Sequence, residues 1–400
     1  MINLMLEITE PDPSLFSSAD SPNLAAEISS LSPEQLEQVI NSAFVTLAGG
    51  DFAQRWELAK TLPQLGTGII PRLTAILADE DEEEELQWFA IKILASFPHP
   101  DALQTLTEVL QTQENDDLRE AAVDALSQFG SSAVTLAAEL ASVPESEAIA
   151  VEILASLQCG ERVEPLLTLA QTAEPTVKAK ALEALSVVED GRIEPILWKA
   201  VGDYVAGVRR EALIGLGLIA TRYHLQQQEV KLAGFVDKIL PCLYDFSVSV
   251  CEQAAMTLGR VKTVPAAEGL FAVLMKETTP ISLQVKIVNV LGWMEMPEAI
   301  SYLGEALATS LAKGEERLMV TQEIIHVLGR IRQPDLKGLA VNLLIEVIET
   351  NSLNDRLQAM AILGLGQLGD PQAAEILQRL QSHPNPQISL HAQAALKQLL

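Results

Sequence analysis

Small and large apolar residues recur along this chain at one fixed helical offset. Leu62, Leu94, Leu126, Leu154, Leu185, Leu216, Leu258, Leu291, Leu328, Leu365 and Leu396 occupy the same place in eleven similar segments. Four residues before each stand Leu58, Ala90, Ala122, Ala150, Ala181, Ala212, Ala254, Ile287, Ile324, Ala361 and Ala392, eight of them alanine. By subtraction the steps between ladder leucines are 32, 32, 28, 31, 31, 42, 33, 37, 37 and 31 residues. An offset of four places both residues on one helix face. A repeat of that face roughly every thirty residues marks a helical array. The pattern predicts an all-α solenoid of about eleven helical hairpins, stacked as a right-handed superhelix with the second helices on its concave face.

Each unit reads as two helices. The first carries the ladder, as in Val177-Lys-Ala-Lys-Ala-Leu-Glu-Ala-Leu185. Its small alanine lets a neighbouring helix come close. A turn with Gly, Asp or Pro follows, such as Gly369-Asp370-Pro371. The second helix is apolar at helical spacing, as in Ile69 to Leu77. Period-two strand patterns are missing. Before the array, Ser32-Pro33-Glu34 supplies an N-cap, a first-turn proline and a first-turn acid. This predicts a capping helix over 32–50, ending at Gly49-Gly50, after a mobile N-terminal arm over 1–31. Residues 32–400 then form one solenoid.

Two irregularities bear on function. The step from Leu216 to Leu258 holds about ten extra residues, including Thr221-Arg-Tyr-His-Leu-Gln-Gln-Gln228. The long steps ending at Leu328 and Leu365 predict longer second helices around Leu303–Leu311 and Leu339–Ile348. Insertions in arrays map to one edge, often the binding edge. The chain stops after a ladder helix, which would leave an apolar end open to self-association.

Charge narrows the partners. The net charge is -27. Residues 1–177 hold 30 acids and 6 bases, 178–262 hold 10 and 11, and 263–400 hold 14 and 10. An acidic first half repels phosphate backbones and anionic membranes, so a basic protein partner fits better than nucleic acid. No uninterrupted apolar stretch is long enough to span a membrane. The opening MINLMLEITEPDP has no basic region or long apolar core and is not a secretory signal. Cys159, Cys242 and Cys251 form neither a disulfide framework nor a zinc spacing, so the expected compartment is the cytoplasm.

Motif searches give little chemistry. Gly364-Leu-Gly-Gln-Leu-Gly369 matches a dinucleotide fingerprint by letters, but lies at the end of a ladder helix, where close packing and a helix stop explain it. His99, His224, His326, His383 and His391 do not pair at ligand spacing, so no metal site is expected. Asp79-Glu80-Asp81-Glu82-Glu83-Glu84-Glu85 is a run of seven acids. It is either a solvated turn at a helix N-terminus or a docking site for a basic partner.

The densest cluster lies between Trp198 and Tyr244. It contains Tyr204, Arg209, Arg210, Arg222, Tyr223 and His224, spans the largest insertion and escapes the acidic bias. Aromatics with arginines anchor binding surfaces and can hold an anionic conjugated ligand. The alternative is that the rings fill gaps where repeat geometry changes. If the cluster binds, replacing Arg209 and Arg210 together should lose the partner and leave melting nearly intact.

The unit best displayed by Gln358-Ala-Met-Ala-Ile-Leu-Gly-Leu-Gly-Gln-Leu-Gly-Asp-Pro-Gln-Ala-Ala-Glu-Ile-Leu-Gln-Arg-Leu380 resembles the short HEAT-like repeats of the phycobilisome lyase family. The family's basic first position survives as Arg55, Arg119, Lys178 and Arg209, and is Gln87, Glu147, Cys251, Gln284, Thr321, Gln358 and Ser389 elsewhere. The resemblance covers residues 50–400 and implies HEAT-like hairpins. In that family, found in cyanobacteria, some members attach, isomerise or detach bilins on phycobiliproteins. Others assist assembly or turnover of antenna proteins. No catalytic residue carries over. The expected function is therefore a scaffold or adaptor binding a partner protein on its concave face, linked by resemblance to the phycobilisome. The alternative is a bilin lyase or isomerase with a phycobilin as transient ligand; otherwise no cofactor is expected.

Overall fold

The computed structural model describes residue 28 and residues 31–232, 234–349 and 355–399. Most of the expected N-terminal arm, residues 1–27, 29 and 30, lies outside the described residues. Among the described residues every regular element is a helix, and the fold is an α-solenoid. The chain divides into two compact units, one running up to Ala184 and one from Leu185 onward. The division falls inside the ladder helix Pro175–Ser186.

The first unit opens with helix Pro33–Gly49, as the capping residues predict. The Ser32 hydroxyl accepts from the Gln35 amide, and the Gln35 side chain accepts from the Ser32 amide at 2.9 Å. This reciprocal pair satisfies two helix-end donors that would otherwise lack partners. Ladder helices Phe52–Thr61, Glu84–Leu94, Asp116–Ser127 and Glu147–Ser156 then alternate with second helices Ile70–Ala78, Pro100–Thr112, Ser131–Leu140 and Val163–Thr172. The four ladder helices pack one on the next, from Phe52–Thr61 to Glu147–Ser156. Leu58, Leu62, Ala90, Leu94, Ala122, Leu126, Ala150 and Leu154 are all at 1% exposure or less. Truncating one such buried leucine to alanine costs about 2–5 kcal/mol, so the ladder is the spine of the core.

The second unit repeats the scheme. After second helix Ile193–Ala200 come ladder helices Ala206–Leu225, Val248–Val261, Ile281–Met294, Leu318–Gly329, Asp355–Leu368 and Pro386–Leu399. The extra residues after Leu216 lengthen one helix instead of forming a loop: Ala206–Leu225 is 20 residues long. Two short helices, Glu229–Leu232 and Phe235–Ile239, carry the chain back. The other long steps come from second helices Pro297–Lys313 and Pro334–Glu349, of 17 and 16 residues, as predicted.

The Gly364–Gly369 motif is packing. A Cβ on Gly364 would stand 3.3 Å from the Gly329 Cα, and one on Gly366 would stand 2.9 Å from the Ala395 Cα. Gly369 ends its helix at φ +62°, a left-handed conformation that favours glycine. No strand precedes it among the described residues.

Candidate functional site

The long helix Ala206–Leu225 divides the aromatic and arginine cluster into two groups. Arg209 and Tyr223 sit near its opposite ends, about 20 Å apart at 1.5 Å per residue.

The group at the C-terminal end is closed on itself. Glu194 accepts from the Tyr223 hydroxyl at 2.6 Å and from the Trp198 indole nitrogen at 3.1 Å. Both rings pack edge-on to Phe235, with centroids at 4.9 Å for Trp198 and 6.1 Å for Tyr223. Lys238 lies 4.7 Å over Trp198 and Lys231 4.6 Å over Tyr223. Burial and the neighbouring Glu194 carboxylate push the Tyr223 phenol up to about 12. Arg222 donates to the Val188 carbonyl at 3.1 Å, while His224 is exposed. These rings pack together at the joint where the helix lengthens.

The group at the N-terminal end is held open by one guanidinium. Arg209 binds Asp245 through two hydrogen bonds, of 2.8 and 2.6 Å. The same side chain donates to the carbonyls of Asp203 at 2.8 Å and Tyr204 at 3.1 Å. It therefore ties the turn before this ladder helix to the turn before the next one. Asp245 also accepts from the Ser247 amide. The pair raises the arginine and lowers the carboxyl from their ordinary values, each chiefly through the mutual hydrogen bond. From these pinned turns Tyr204 projects at 80% exposure and Tyr244 at 55%, and Phe246 is fully exposed. Lys276 donates to the Tyr244 hydroxyl at 2.9 Å. Arg210 pairs with its neighbour Glu211 at 2.7 Å. The three arginines that could hold a bilin's carboxylates are thus engaged: Arg209 by Asp245, Arg210 by Glu211 and Arg222 by a carbonyl.

The acidic run, in the first unit, is partly structural. Arg55, at 4% side-chain exposure, donates to Glu83 at 2.6 Å and Glu85 at 2.9 Å. It also donates to the Leu47 and Ala48 carbonyls that end the capping helix. The arginine holds the Glu83 carboxyl below its ordinary range. Asp79 and Glu82 accept backbone amides within the turn, from Asp81 and Glu83 respectively. Glu80, Asp81 and Glu84 face solvent.

Arg55 illustrates a recurring tie. Arg119 donates to the Leu110 carbonyl behind it and to Glu152 ahead, 2.9 Å away. Where the first position is an uncharged donor, five of six residues still reach a carbonyl behind. Gln87 bonds Asp79, Gln284 bonds Thr279, Gln358 bonds Ile348, Cys251 bonds Asp245 and Ser389 bonds Gln381. Thr321 instead bonds Arg317 in its own unit. In these units a short-range donor fills the position, which explains why several residue types serve.

Phe246 was missing from the sequence-derived set. Its signal was available: a phenylalanine between Asp245 and Ser247, in a turn where the pattern calls for polar residues.

Residues 70–158 and 309–397 match the family model of HEAT repeats. No curated protein sequence matches the chain. Among solved structures, a mutant of Kap121p aligns with all of this chain at 12% identity, TM-score 0.53, over 53% of its own length. Kap95p, whose binding induces the switch loops of RanGDP to adopt the GTP-bound conformation, aligns at 12% identity and TM-score 0.51. That match covers all of this chain and 67% of Kap95p. An engineered protein aligns at 18% identity and TM-score 0.37, over 95% of this chain and 99% of its own. This chain therefore spans about half of Kap121p and two thirds of Kap95p, and shares their fold.

Proposed function

We propose that this chain, an α-solenoid carrying HEAT repeats, is a protein-binding scaffold whose partner docks on the edge bearing Tyr204, Tyr244 and Phe246. One observation carries this: a single guanidinium pins two successive inter-repeat turns, and each turn presents large exposed rings. A chain with 17 aromatic residues places three of them in water at one edge. Exposed aromatics on a rigid support lose little entropy on binding and desolvate large areas, which makes them anchors. Lys276 over Tyr244 adds a charge at the rim. The mechanism is surface complementarity, with no covalent step. The fold supports this use, since Kap95p binds RanGDP on the same architecture.

Photo-crosslinking residues at Tyr204 and Phe246 test the proposal in source-cell extract. One discrete adduct shared by both positions and missing at the exposed control Val187 supports it. No adduct at either position, or the same adducts at Val187, overturns it. The resemblance to the phycobilisome lyase family nominates an apo-phycobiliprotein as the first purified partner, with and without bilin. A shifted, intensified bilin band on mixing would support lyase-type chemistry; an unchanged spectrum sinks that alternative and leaves the scaffold proposal standing.

A further inference from the structure

Three arginines are distinguished by lacking partners. Among the described residues Arg260, Arg330 and Arg332 have no ion pair and no side-chain hydrogen bond. Arg55, Arg119, Arg209 and Arg222, by contrast, pair with carboxylates or carbonyls. In a chain with 54 acids and 27 bases, arginines without a carboxylate partner are unexpected. All three lie at C-terminal ends of ladder helices in the second unit. Arg260 ends Val248–Val261, while Arg330 and Arg332 follow Leu318–Gly329.

Helix ends attract cations, because their last carbonyls carry partial negative charge. That accounts for a basic residue at each end, but not for the shape between them. Lys262, Trp293, His326, Arg330 and Arg332 line one cavity of about 740 Å³. Trp293 comes from the intervening helix Ile281–Met294 and is 54% exposed. Its ring carbons lie 3.3 Å from where a Gly259 Cβ would stand, so the glycine lets the indole lie against the neighbouring helix. Lys262 ends its helix at φ +51°, four residues past Leu258. At the same register past Leu365 stands Gly369, at φ +62°. A lysine in that conformation costs on the order of 1 kcal/mol relative to glycine. Arg260 turns the other way, toward Gly217.

The geometry points to this groove as a docking site for an extended acidic peptide segment of a partner protein. Its carboxylates would meet Lys262, Arg330 and Arg332, and an apolar side chain between them would lie on Trp293. Guanidinium forks match carboxylates through paired hydrogen bonds. Glu295 lines the same cavity, and the chain's net charge is -27. A nucleic-acid backbone would bring its phosphates past those acids, whereas a short peptide can confine its charges to the groove. The inference uses none of the residues of the aromatic edge, so either can fail without the other.

The test is selection from a displayed library of random peptides of about twelve residues on the full chain and on Arg330→Glu/Arg332→Glu. The expected result is enrichment of Asp/Glu-rich peptides with an apolar residue, saturable binding that weakens with salt, and at least ~tenfold loss on the double variant. Trp293→Ala should weaken the same peptides, while melting and helicity of both variants match the parent. No enrichment, enrichment of neutral or basic peptides, or equal binding to the double variant would overturn the inference. So would competition by an oligothymidylate of similar length at equal concentration, which would make this a phosphate site.

Discussion

Removing the Arg209 guanidinium should destabilise the second unit, contrary to what its place in the sequence suggests. Read along the chain, Arg209 and Arg210 look like equivalent surface cations. In the structure the Arg209 and Asp245 side chains are 15% and 14% exposed, whereas the Arg210 side chain is 50% exposed. Arg209→Ala leaves Asp245 with the Ser247 amide but no cation, and strips donors from the Asp203 and Tyr204 carbonyls. Breaking a buried ion pair by removing one member costs about 3–5 kcal/mol. Water reaches the rim of this pair, so about 2–3 kcal/mol is expected. Arg210→Ala should stay within about 0.5 kcal/mol. A cycle of Arg209→Ala, Asp245→Ala and the double variant should give a coupling of about 1–3 kcal/mol.

The pair should also respond to acid. Its carboxyl is held below the ordinary value of about 3.9, so its contribution is complete above that value. It is lost as pH falls through the depressed folded value. The gap between parent and Asp245→Asn should therefore close only in strong acid. Long arrays need not unfold in one step, so the assay is urea denaturation joined to amide hydrogen exchange at residues 201–205 and 245–247. A coupling under about 0.5 kcal/mol with unchanged exchange at both turns would refute the clamp. It would also remove the reason for Tyr204 and Phe246 to share one rigid edge.

Gly329→Ala places a Cβ 2.7 Å from the Gly364 Cα, which is backbone, and should cost about 1–3 kcal/mol. Gly338→Ala, 3.6 Å from the flexible end of Gln372, should instead gain up to about 1 kcal/mol through helix propensity. Thermal melting that moves both variants the same way would contradict this. Tyr223→Phe should delete an ionisation near 12 from the phenolate absorbance titration. Because the folded phenol ionises above its ordinary value of about 10, its contribution is present below that pH and fades as pH rises toward 12. Loss of an ionisation near the ordinary value of about 10 instead would show that Glu194 and burial do not hold it.

What was legible in the sequence is what local rules decide. Ser32 and Gln35 form their capping box within four residues, so the first helix start was readable. The ladder was readable because burial at Ala90 and Leu94 is set within one helix turn. The lengths of Pro297–Lys313 and Pro334–Glu349 followed from counting. The cluster from Trp198 to Tyr244 was misleading because closeness along the chain stood in for closeness in space. The insertion was spent on lengthening a helix, and a helix carries its two ends apart. Tyr223 and Tyr204 therefore have different neighbours and different uses.

In a stacked array, spatial neighbours lie about one period apart in sequence, because each repeat touches only the next. Arg55 meets Glu85 at a separation of 30, Arg119 meets Glu152 at 33, and Arg209 meets Asp245 at 36. Each separation resembles a ladder step, and none forms a motif that a search along the chain would find. The acidic run looked like one feature, yet Glu83 and Glu85 belong to Arg55, almost one unit upstream. Lys262, Trp293 and Arg330 follow the same rule: the ladder register places them at the same end of three successive helices. Net charge hides such a column, because it averages across units that never share a surface. A function carried by this fold is therefore written down the columns of the repeat, and a site search in any such chain should align the units before it looks for chemistry.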